Sequence, residues 1–251
     1  MNRVSALDGS PSSNGRGSDA WARSWTHVRL DRRSPAYCRV TFDHPPINAI
    51  TALTVAELAE LVGLIESDPD LNVVVFDSAN PGFYLAEYDP EPEPGETVTP
   101  GVGPAAVRAW MDVLVRLARA PVVSIAAIRG QARGAGTAFV SACDLRFASR
   151  ENALVGRWEI APGVAGWRSA TARLSRLVGH GRALEILLGD DLDGSRAEQY
   201  GYVNRAIADD RLDDEVQAIA SRLARFDHEA IARTKCCVDR ATRPADSAAL
   251  C

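Results

Sequence analysis

The stretch from Pro121 to Ser149, PVVSIAAIRGQARGAGTAFVSACDLRFAS, decides the fold. Its first part, Val122 to Ile128, is a short apolar run rich in β-branched residues, which predicts a buried strand. A turn with glycines at 130, 134 and 136 follows, and the small residues from Thr137 to Cys143 predict a helix. Asp144 to Ser149 is predicted to be the next strand. The stretch therefore predicts an α/β unit in which a glycine turn opens a helix.

The glycine turn suits a negative charge, whether standing or developing during a reaction. The backbone N–H groups at the start of a helix point towards whatever occupies the turn before it, and the helix dipole adds positive potential there. The turn is not a phosphate loop, because no Gly-Lys-Ser/Thr follows and the spacing does not give GxGxxG. On this stretch alone, a turn that serves only the tight packing of strand and helix is an equally good interpretation.

Composition narrows the class of protein. With 251 residues, 46% of them hydrophobic and 24% charged, the chain is long enough for one large α/β domain, with or without a small appendage. A formal net charge of -5 without a long basic run argues against nucleic acid as the main partner. The sequence also predicts no membrane partner, since no apolar stretch approaches the roughly 20 residues of a membrane span and the N-terminus lacks the apolar core of a signal peptide.

The five cysteines are odd in number and show no metal-ligand spacing. Reduced thiols in the cytoplasm are the simplest interpretation. No metal site is predicted.

Three regions follow from the order of the segments. Residues 1–20 are rich in Ser, Gly, Asn and Asp and are predicted to be a disordered tail. Residues 21–200 form the predicted α/β core, and residues 201–251 a mostly helical C-terminal region. Within the core, DSANPG from Asp77 is predicted to be a loop, and function could lie in the segment that follows it, Phe83 to Asp89. The acidic, Pro-rich segment from Pro90 to Pro104 is predicted to be a mobile flap or disordered loop.

Five motifs in order resemble those of the enoyl-CoA hydratase/isomerase (crotonase) family. They are HPPINAIT from His44, VVVFDSANPGFYLAEYD from Val73, the stretch quoted first, GRWEIAPGVAG from Gly156, and RLVGHGRALEILLGDDLDGSRAEQYGYVNRAI from Arg176. The resemblance covers about residues 39–239. It implies a crotonase-like spiral of ββα units with a C-terminal helical region, here shortened, that forms homotrimers or dimers of trimers. It also implies an acyl-CoA thioester as the partner, with no cofactor beyond the coenzyme A of the substrate.

The shared chemistry of this family is an oxyanion hole. Two backbone N–H groups bind the thioester carbonyl oxygen as it becomes an enolate, and donors of this kind contribute on the order of 3 to 4 kcal/mol each. By resemblance one donor is Ala135, at the middle position of the family's Gly-Gly-Gly. The oxyanion hole can still form, because alanine keeps the backbone N–H that glycine has. The other donor falls on Glu87. The Glu87 side chain is either a solvated loop carboxylate or reaches the pocket.

The type of reaction depends on carboxylates that move protons. Hydratases of the two-glutamate type need one glutamate just after the glycine turn, and that position is Ala138 here, whose methyl group cannot accept a proton. The second position is Glu159, whose apolar neighbours Trp158 and Ile160 would raise the pKa of its carboxyl group. A glutamate at the second position with none at the first is similar to the arrangement in Δ3,Δ2-enoyl-CoA isomerases. A Glu159 that only caps its loop or pairs with Arg157 or Arg168 remains an alternative.

The prediction is therefore an acyl-CoA enzyme that most simply isomerises a double bond. The alternatives are a hydratase in which Glu87 or Asp89 replaces the missing carboxylate, a biosynthetic enzyme with an unusual substrate, and a catalytically silent acyl-CoA-binding homologue. The resemblance assigns further residues to the substrate pocket. These are Pro46, Ile47, Leu85, Ala86, Gly134, Ala138, Trp158 and Trp167.

Overall fold

The computed structural model describes residues 21–89, 104–156, 168–189 and 191–242. The predicted tail (1–20) and all of the predicted acidic loop except Pro104 lie outside these residues. Its strands are β1 (Val28–Ser34), β2 (Tyr37–Phe42), β3 (Val73–Ser78), β4 (Phe83–Leu85), β5 (Val123–Ile128), β6 (Gln131–Arg133), β7 (Leu145–Ser149), β8 (Leu154–Gly156), β9 (Leu192–Asp193) and β10 (Arg205–Ile207). Its helices are α1 (Ala52–Ser67), α2 (Pro104–Arg119), α3 (Ala135–Ala142), α4 (Arg168–Val178), α5 (His180–Leu188), α6 (Gly194–Tyr200), α7 (Leu212–Leu223) and α8 (His228–Thr242).

The larger sheet has the strand order β1-β2-β3-β5-β7-β10. The hairpin β1–β2 is antiparallel, and the remaining pairs in this sheet are parallel. The predicted α/β architecture is thereby confirmed. Parallel strands covered on both faces need apolar residues throughout, and Val73 to Phe76 in β3 are all fully buried.

Two apolar clusters lie on opposite faces of this sheet, because successive side chains of a strand point to opposite sides. Val74 and Phe76 belong to the larger cluster, which includes α1, α2 and α3. Val73 and Val75 belong to the smaller cluster, which includes α7. Helix α1 begins with a capping box between Thr51 and Thr54, which fixes its start at Ala52.

The smaller sheet has the order β4-β6-β8-β9 and differs from the sequence-based prediction in two places. Phe83 to Leu85, where the sequence analysis assigned no strand, form β4, and the predicted glycine turn contains β6. Both strands are only three residues long, so they are too short to show the two-residue period that identifies a strand. The parallel pairing of β4 with β6 brings the segment after Leu85 next to the glycine turn.

An ion-pair network ties the larger sheet to α7. The Arg39 guanidinium contacts Asp77 and also Asp213 at 2.6 Å, and Arg129 contacts Asp213 at 3.3 Å and Asp209 at 2.9 Å. Burial alone would raise the pKa of Asp213, but hydrogen bonds and charge from Arg39, with Arg129, lower it below its ordinary value of 3.8. The ionised form of Asp213 therefore stabilises the folded state.

Replacing Asp213 with asparagine is expected to lower the free energy of unfolding at pH 7 by up to about 1 kcal/mol, since the Asp213 carboxylate is half exposed and screened by solvent. The pKa is lowered on folding, so the contribution is fully present above the unfolded value of 3.8 and is lost as the pH falls through the lower folded value. Urea unfolding of both proteins at several pH values measures this. A stability difference that stays constant as the pH falls below about 4 would contradict the ionic account.

Candidate active site

The glycine turn is the N-terminus of α3. Gly134 caps the helix with φ 50°, a left-handed conformation that favours glycine. All eight residues of α3 are buried, because six of them are Ala, Gly, Thr or Ser, which leaves a thin helix that fits inside the core. Helix α3 begins at Ala135, two residues earlier than predicted, so Ala135 is the first helical residue rather than a turn residue. The first N–H groups of a helix have no acceptor within it.

The segment after β4 is held by the chain that precedes α1. The Ala86 N–H donates to the Asn48 carbonyl at 3.0 Å, the Ile50 N–H donates to the Glu87 carbonyl at 3.1 Å, and the Asp89 N–H donates to the Ile50 carbonyl at 2.9 Å. Among the described residues, no acceptor is found for the N–H groups of Glu87 and Ala135. These are the two groups that the family resemblance assigns to an oxyanion hole.

One hydrogen bond brings the two segments together. The Gly136 N–H donates to the Ala86 carbonyl at 3.2 Å. Ala135 directly precedes the donor of this bond, and Glu87 directly follows its acceptor. The structure thus places both predicted donors next to one contact between α3 and the end of β4.

Gly136 is required by the close approach of two backbones. A Cβ atom at this position would lie 2.0 Å from the Leu85 carbonyl oxygen. Distances below 3.0 Å are not found for real Cβ atoms, so any side chain at this position would push α3 away from β4. The third glycine of the turn therefore sets the distance between the two segments.

Asn48 is a site residue that the sequence analysis did not single out. It has φ 55°, and its side-chain amide donates to the Ser78 hydroxyl at 2.8 Å and to the Tyr84 carbonyl at 3.2 Å. Its own carbonyl accepts from Ala86. The signal available in the sequence was an asparagine after two prolines, since asparagine tolerates the left-handed region better than other non-glycine residues. Asn48 anchors the segment that carries Glu87.

Ala138 is buried within α3, and its side chain is 1% exposed. The neighbouring Thr137 hydroxyl lies 2.8 Å from the Gly156 carbonyl, at the end of β8. The predicted site residues Trp158, Glu159 and Trp167 follow Gly156 and lie outside the described residues.

The other predicted pocket residues fall into two groups. Leu85, Ala86 and Gly134 are buried at the contact between β4 and α3, whereas Pro46 and Ile47 are exposed on the segment before Asn48. The Glu87 side chain is also exposed. The structure therefore brings Leu85, Ala86, Glu87, Gly134 and Ala135 together around one backbone contact.

Two charged residues near the turn have partners within the protein. Asp144, at the C-terminal end of α3, accepts hydrogen bonds from the Ser124 N–H and hydroxyl, each at 2.8 Å, and pairs with Lys235 at 2.8 Å. Arg133, directly before Gly134, pairs with Asp191 at 2.9 Å. Asp144 thus has a structural role, and the Arg133 guanidinium is paired with a carboxylate of the protein.

Comparison with known proteins decides the family. The family model "Enoyl-CoA hydratase/isomerase" matches residues 32–250. The chain belongs to the enoyl-CoA hydratase/isomerase family. A relative from Rhizobium meliloti (strain 1021), named "Probable enoyl-CoA hydratase", is 31% identical over 203 residues, which is 80% of this chain and 77% of the relative.

Solved structures of the enoyl-CoA hydratase/isomerase family have the same fold. A structure from Streptomyces avermitilis, assigned as an enoyl-CoA hydratase, is 36% identical, with a TM-score of 0.77 over 90% of this chain and 82% of that one. A monofunctional enoyl-CoA isomerase from M. smegmatis is 29% identical, with a TM-score of 0.71 over 87% of this chain and 95% of that one. The chain is therefore an enzyme of this family with a crotonase fold, and proteins named for either reaction share the architecture. In the described part of the chain, no helix has the length and apolar character needed to cross a membrane.

Proposed function

We propose that this chain is an enoyl-CoA isomerase that uses Glu159 as its single acid/base residue. The observation that carries the proposal is Ala138, a buried methyl group at the position where two-glutamate hydratases need a carboxylate. Hydration requires a group that activates water and a group that delivers a proton to carbon, whereas isomerisation needs one group that removes and returns a proton. A chain with one of the two glutamates retains what isomerisation requires.

The proposed oxyanion hole consists of the N–H groups of Ala135 and Glu87. Its support is the backbone contact between Gly136 and Ala86, at 3.2 Å, next to which both groups lie. Preorganised donors of this kind stabilise charge that develops during the reaction without the reorganisation that water would need. Substrate would contact Pro46, Ile47, Leu85, Ala86, Gly134, Ala138, Trp158 and Trp167.

The proposed reaction moves one proton and one double bond. The Glu159 carboxylate takes a proton from the α carbon of a 3-enoyl-CoA, and the electron pair of that C–H bond passes into a dienolate whose oxygen accepts from the two N–H groups. The protonated Glu159 then gives the proton to the γ carbon, which yields the 2-enoyl-CoA without adding water. Glu159 lies three residues after Gly156, whose carbonyl is bonded to Thr137 beside Ala138.

The proposal also covers the cofactor requirement, the metabolic role, the compartment and the oligomeric state of the enzyme. Coenzyme A enters as part of the substrate, and no separate cofactor is required by the chemistry above. We place the enzyme in fatty-acid metabolism in the cytoplasm, as a homotrimer or dimer of trimers, in line with its family and with cysteines interpreted as reduced thiols.

Incubation of the purified protein with a 3-enoyl-CoA in deuterated water, followed by mass spectrometry, tests the proposed reaction. We expect the double bond to migrate without any mass corresponding to added water, and deuterium to enter the acyl chain where the protonated Glu159 exchanges its proton with solvent before returning it. Rapid hydration of crotonyl-CoA would instead support the hydratase alternative, with Glu87 or Asp89 as the second carboxylate. Unchanged substrates in both assays would contradict catalysis on enoyl thioesters.

A further inference from the structure

A groove of about 1140 Å³ lies at the C-terminal end of α3, whereas the proposed oxyanion donors lie at its N-terminal end. Eight helical residues separate the two ends by about 12 Å. The walls of the groove come from α2, α4, α8 and the start of β7. The groove is therefore a second concave surface, separate from the site described above.

Positive charge predominates in this groove. Five cationic side chains line it, against two carboxylates, those of Asp144 and Asp239; the cations are Arg119, Arg146, Arg173, Arg176 and Lys235. Lys235 is neutralised by Asp144, at 2.8 Å. The thiol of Cys143, which also lines the groove, adds no negative charge, because burial raises its pKa to about 12. The excess of three positive charges lies on arginines.

Arg146 is satisfied within the protein, but Arg173 is not. The Arg146 guanidinium donates to the Tyr202 carbonyl at 2.7 Å and to the Cys143 carbonyl at 2.5 Å. For Arg173, the described residues offer no carboxylate oxygen within 4.0 Å and no hydrogen-bond acceptor. Burial lowers the pKa of Arg173, and the neighbouring Arg176 acts in the same direction, whereas the carboxylates of Asp144 and Asp239, which lie beyond ion-pair distance, oppose both. A partly buried guanidinium without a direct ion pair is unfavourable, and an anion in the groove would relieve this cost.

The remainder of the lining is apolar. Leu177, Leu223 and Ile231 contribute to the walls, and Phe226 and Val238 are 54% and 58% exposed at the surface of the groove. Guanidinium groups bind carboxylates through paired hydrogen bonds, and apolar walls bind alkyl chains by burial. We propose that this groove binds an anionic amphiphile, an alkyl chain that ends in a carboxylate, with Arg173 and Arg176 at the head group and Phe226 and Val238 along the chain.

Titration calorimetry with dodecanoate, below its micellar concentration and in the presence of saturating acetyl-CoA, tests this proposal. We expect dodecanoate to bind and dodecyltrimethylammonium, which has the same chain and the opposite charge, not to bind. The Arg173→Met variant should bind dodecanoate at least about tenfold more weakly, because a charge-assisted hydrogen bond is lost. The matched control Arg233→Met removes an exposed arginine of α8 that pairs with Glu229, and it should bind like the wild type.

The stability of the same variants separates a binding role from a structural one. Without ligand, Arg173→Met should unfold at the same temperature as the wild type or a higher one, since it removes a partly buried and unpaired charge. A second variant, Val238→Glu, keeps every arginine but places a carboxylate in the apolar wall, and it should also weaken dodecanoate binding.

Three results would overturn the proposal. The first is dodecanoate binding that acetyl-CoA abolishes, because the ligand would then occupy the acyl-CoA site. The second is equal affinity for the anionic and cationic amphiphiles, or affinity that Arg173→Met leaves unchanged. The third is a groove closed by a second copy of the chain, which would appear in size-exclusion chromatography as an oligomer that Val238→Glu dissociates and that does not bind dodecanoate.

Discussion

The Gly136→Ala variant is expected to lose about 100-fold or more in kcat/KM for isomerisation, the effect typical of removing one oxyanion donor. The added Cβ would lie 2.0 Å from the Leu85 carbonyl oxygen, so α3 and the end of β4 must move apart. That movement breaks the 3.2 Å bond between Gly136 and Ala86, beside which the N–H groups of Ala135 and Glu87 lie. Two donors that are misplaced relative to each other cannot both reach one oxygen.

A matched glycine distinguishes this effect from a general effect of alanine. A Cβ on Gly181, in α5, meets no atom within 4 Å, so Gly181→Ala should keep full activity and gain about 0.5–1 kcal/mol of stability. Gly136→Ala should lose about 1–3 kcal/mol of stability through overpacking, and kcat/KM is therefore measured well below its unfolding temperature. A folded Gly136→Ala protein with wild-type kcat/KM would show that the spacing between α3 and β4 does not govern catalysis.

Replacing Glu159 with glutamine is expected to lower isomerisation and the exchange of α protons by about 10²–10⁴-fold, the range for loss of a positioned acid/base group. Glutamine has nearly the same shape as glutamate but cannot take a proton from carbon. Affinity for a saturated acyl-CoA should change little, because the proposed N–H donors remain in place. Exchange measured by mass spectrometry in deuterated water, with binding measured separately, gives both quantities.

Glu198→Gln is a suitable control, because Glu198 is an exposed glutamate of α6. It should exchange protons at the wild-type rate. If Glu159→Gln also exchanges at that rate, the base lies elsewhere, and Glu87→Gln and Asp89→Asn would be the next variants to examine. The proposal of a single base at Glu159 would then be wrong.

Long periodic segments were predictable from sequence because burial repeats along them. Apolar residues from Leu53 to Ile65 at helical spacing predicted α1, and the apolar run from Val73 predicted β3. The three-residue strands β4 and β6 were missed, since so short a segment shows no period. Helix α3 was predicted to begin at Thr137, because the Gly-Ala-Gly before it has the composition of a turn.

The candidate site was predictable only in part, because it is formed by contacts between segments that are far apart in the sequence. Ala135 and Glu87 were assigned by resemblance, but what brings them together is a backbone contact between Gly136 and Ala86, which are far apart in sequence. The sequence signal at Asn48 indicated only its backbone conformation, and neither its anchoring role nor the groove at the C-terminal end of α3 could be predicted, because both depend on tertiary contacts. The cations of that groove come from four separate elements, so no local pattern identifies them.

The burial of α3 also has a consequence for how this enzyme could change during evolution. The Ala138 side chain is 1% exposed in a closely packed helix. A glutamate there would have to find space for a larger side chain, at about 1–3 kcal/mol, and would place a carboxylate in apolar surroundings. A lineage with alanine at this position would therefore need compensating changes nearby before a second carboxylate could be accepted. If Ala138 occupies the position of the first hydratase glutamate, as proposed, regaining that carboxylate would require more changes than losing it.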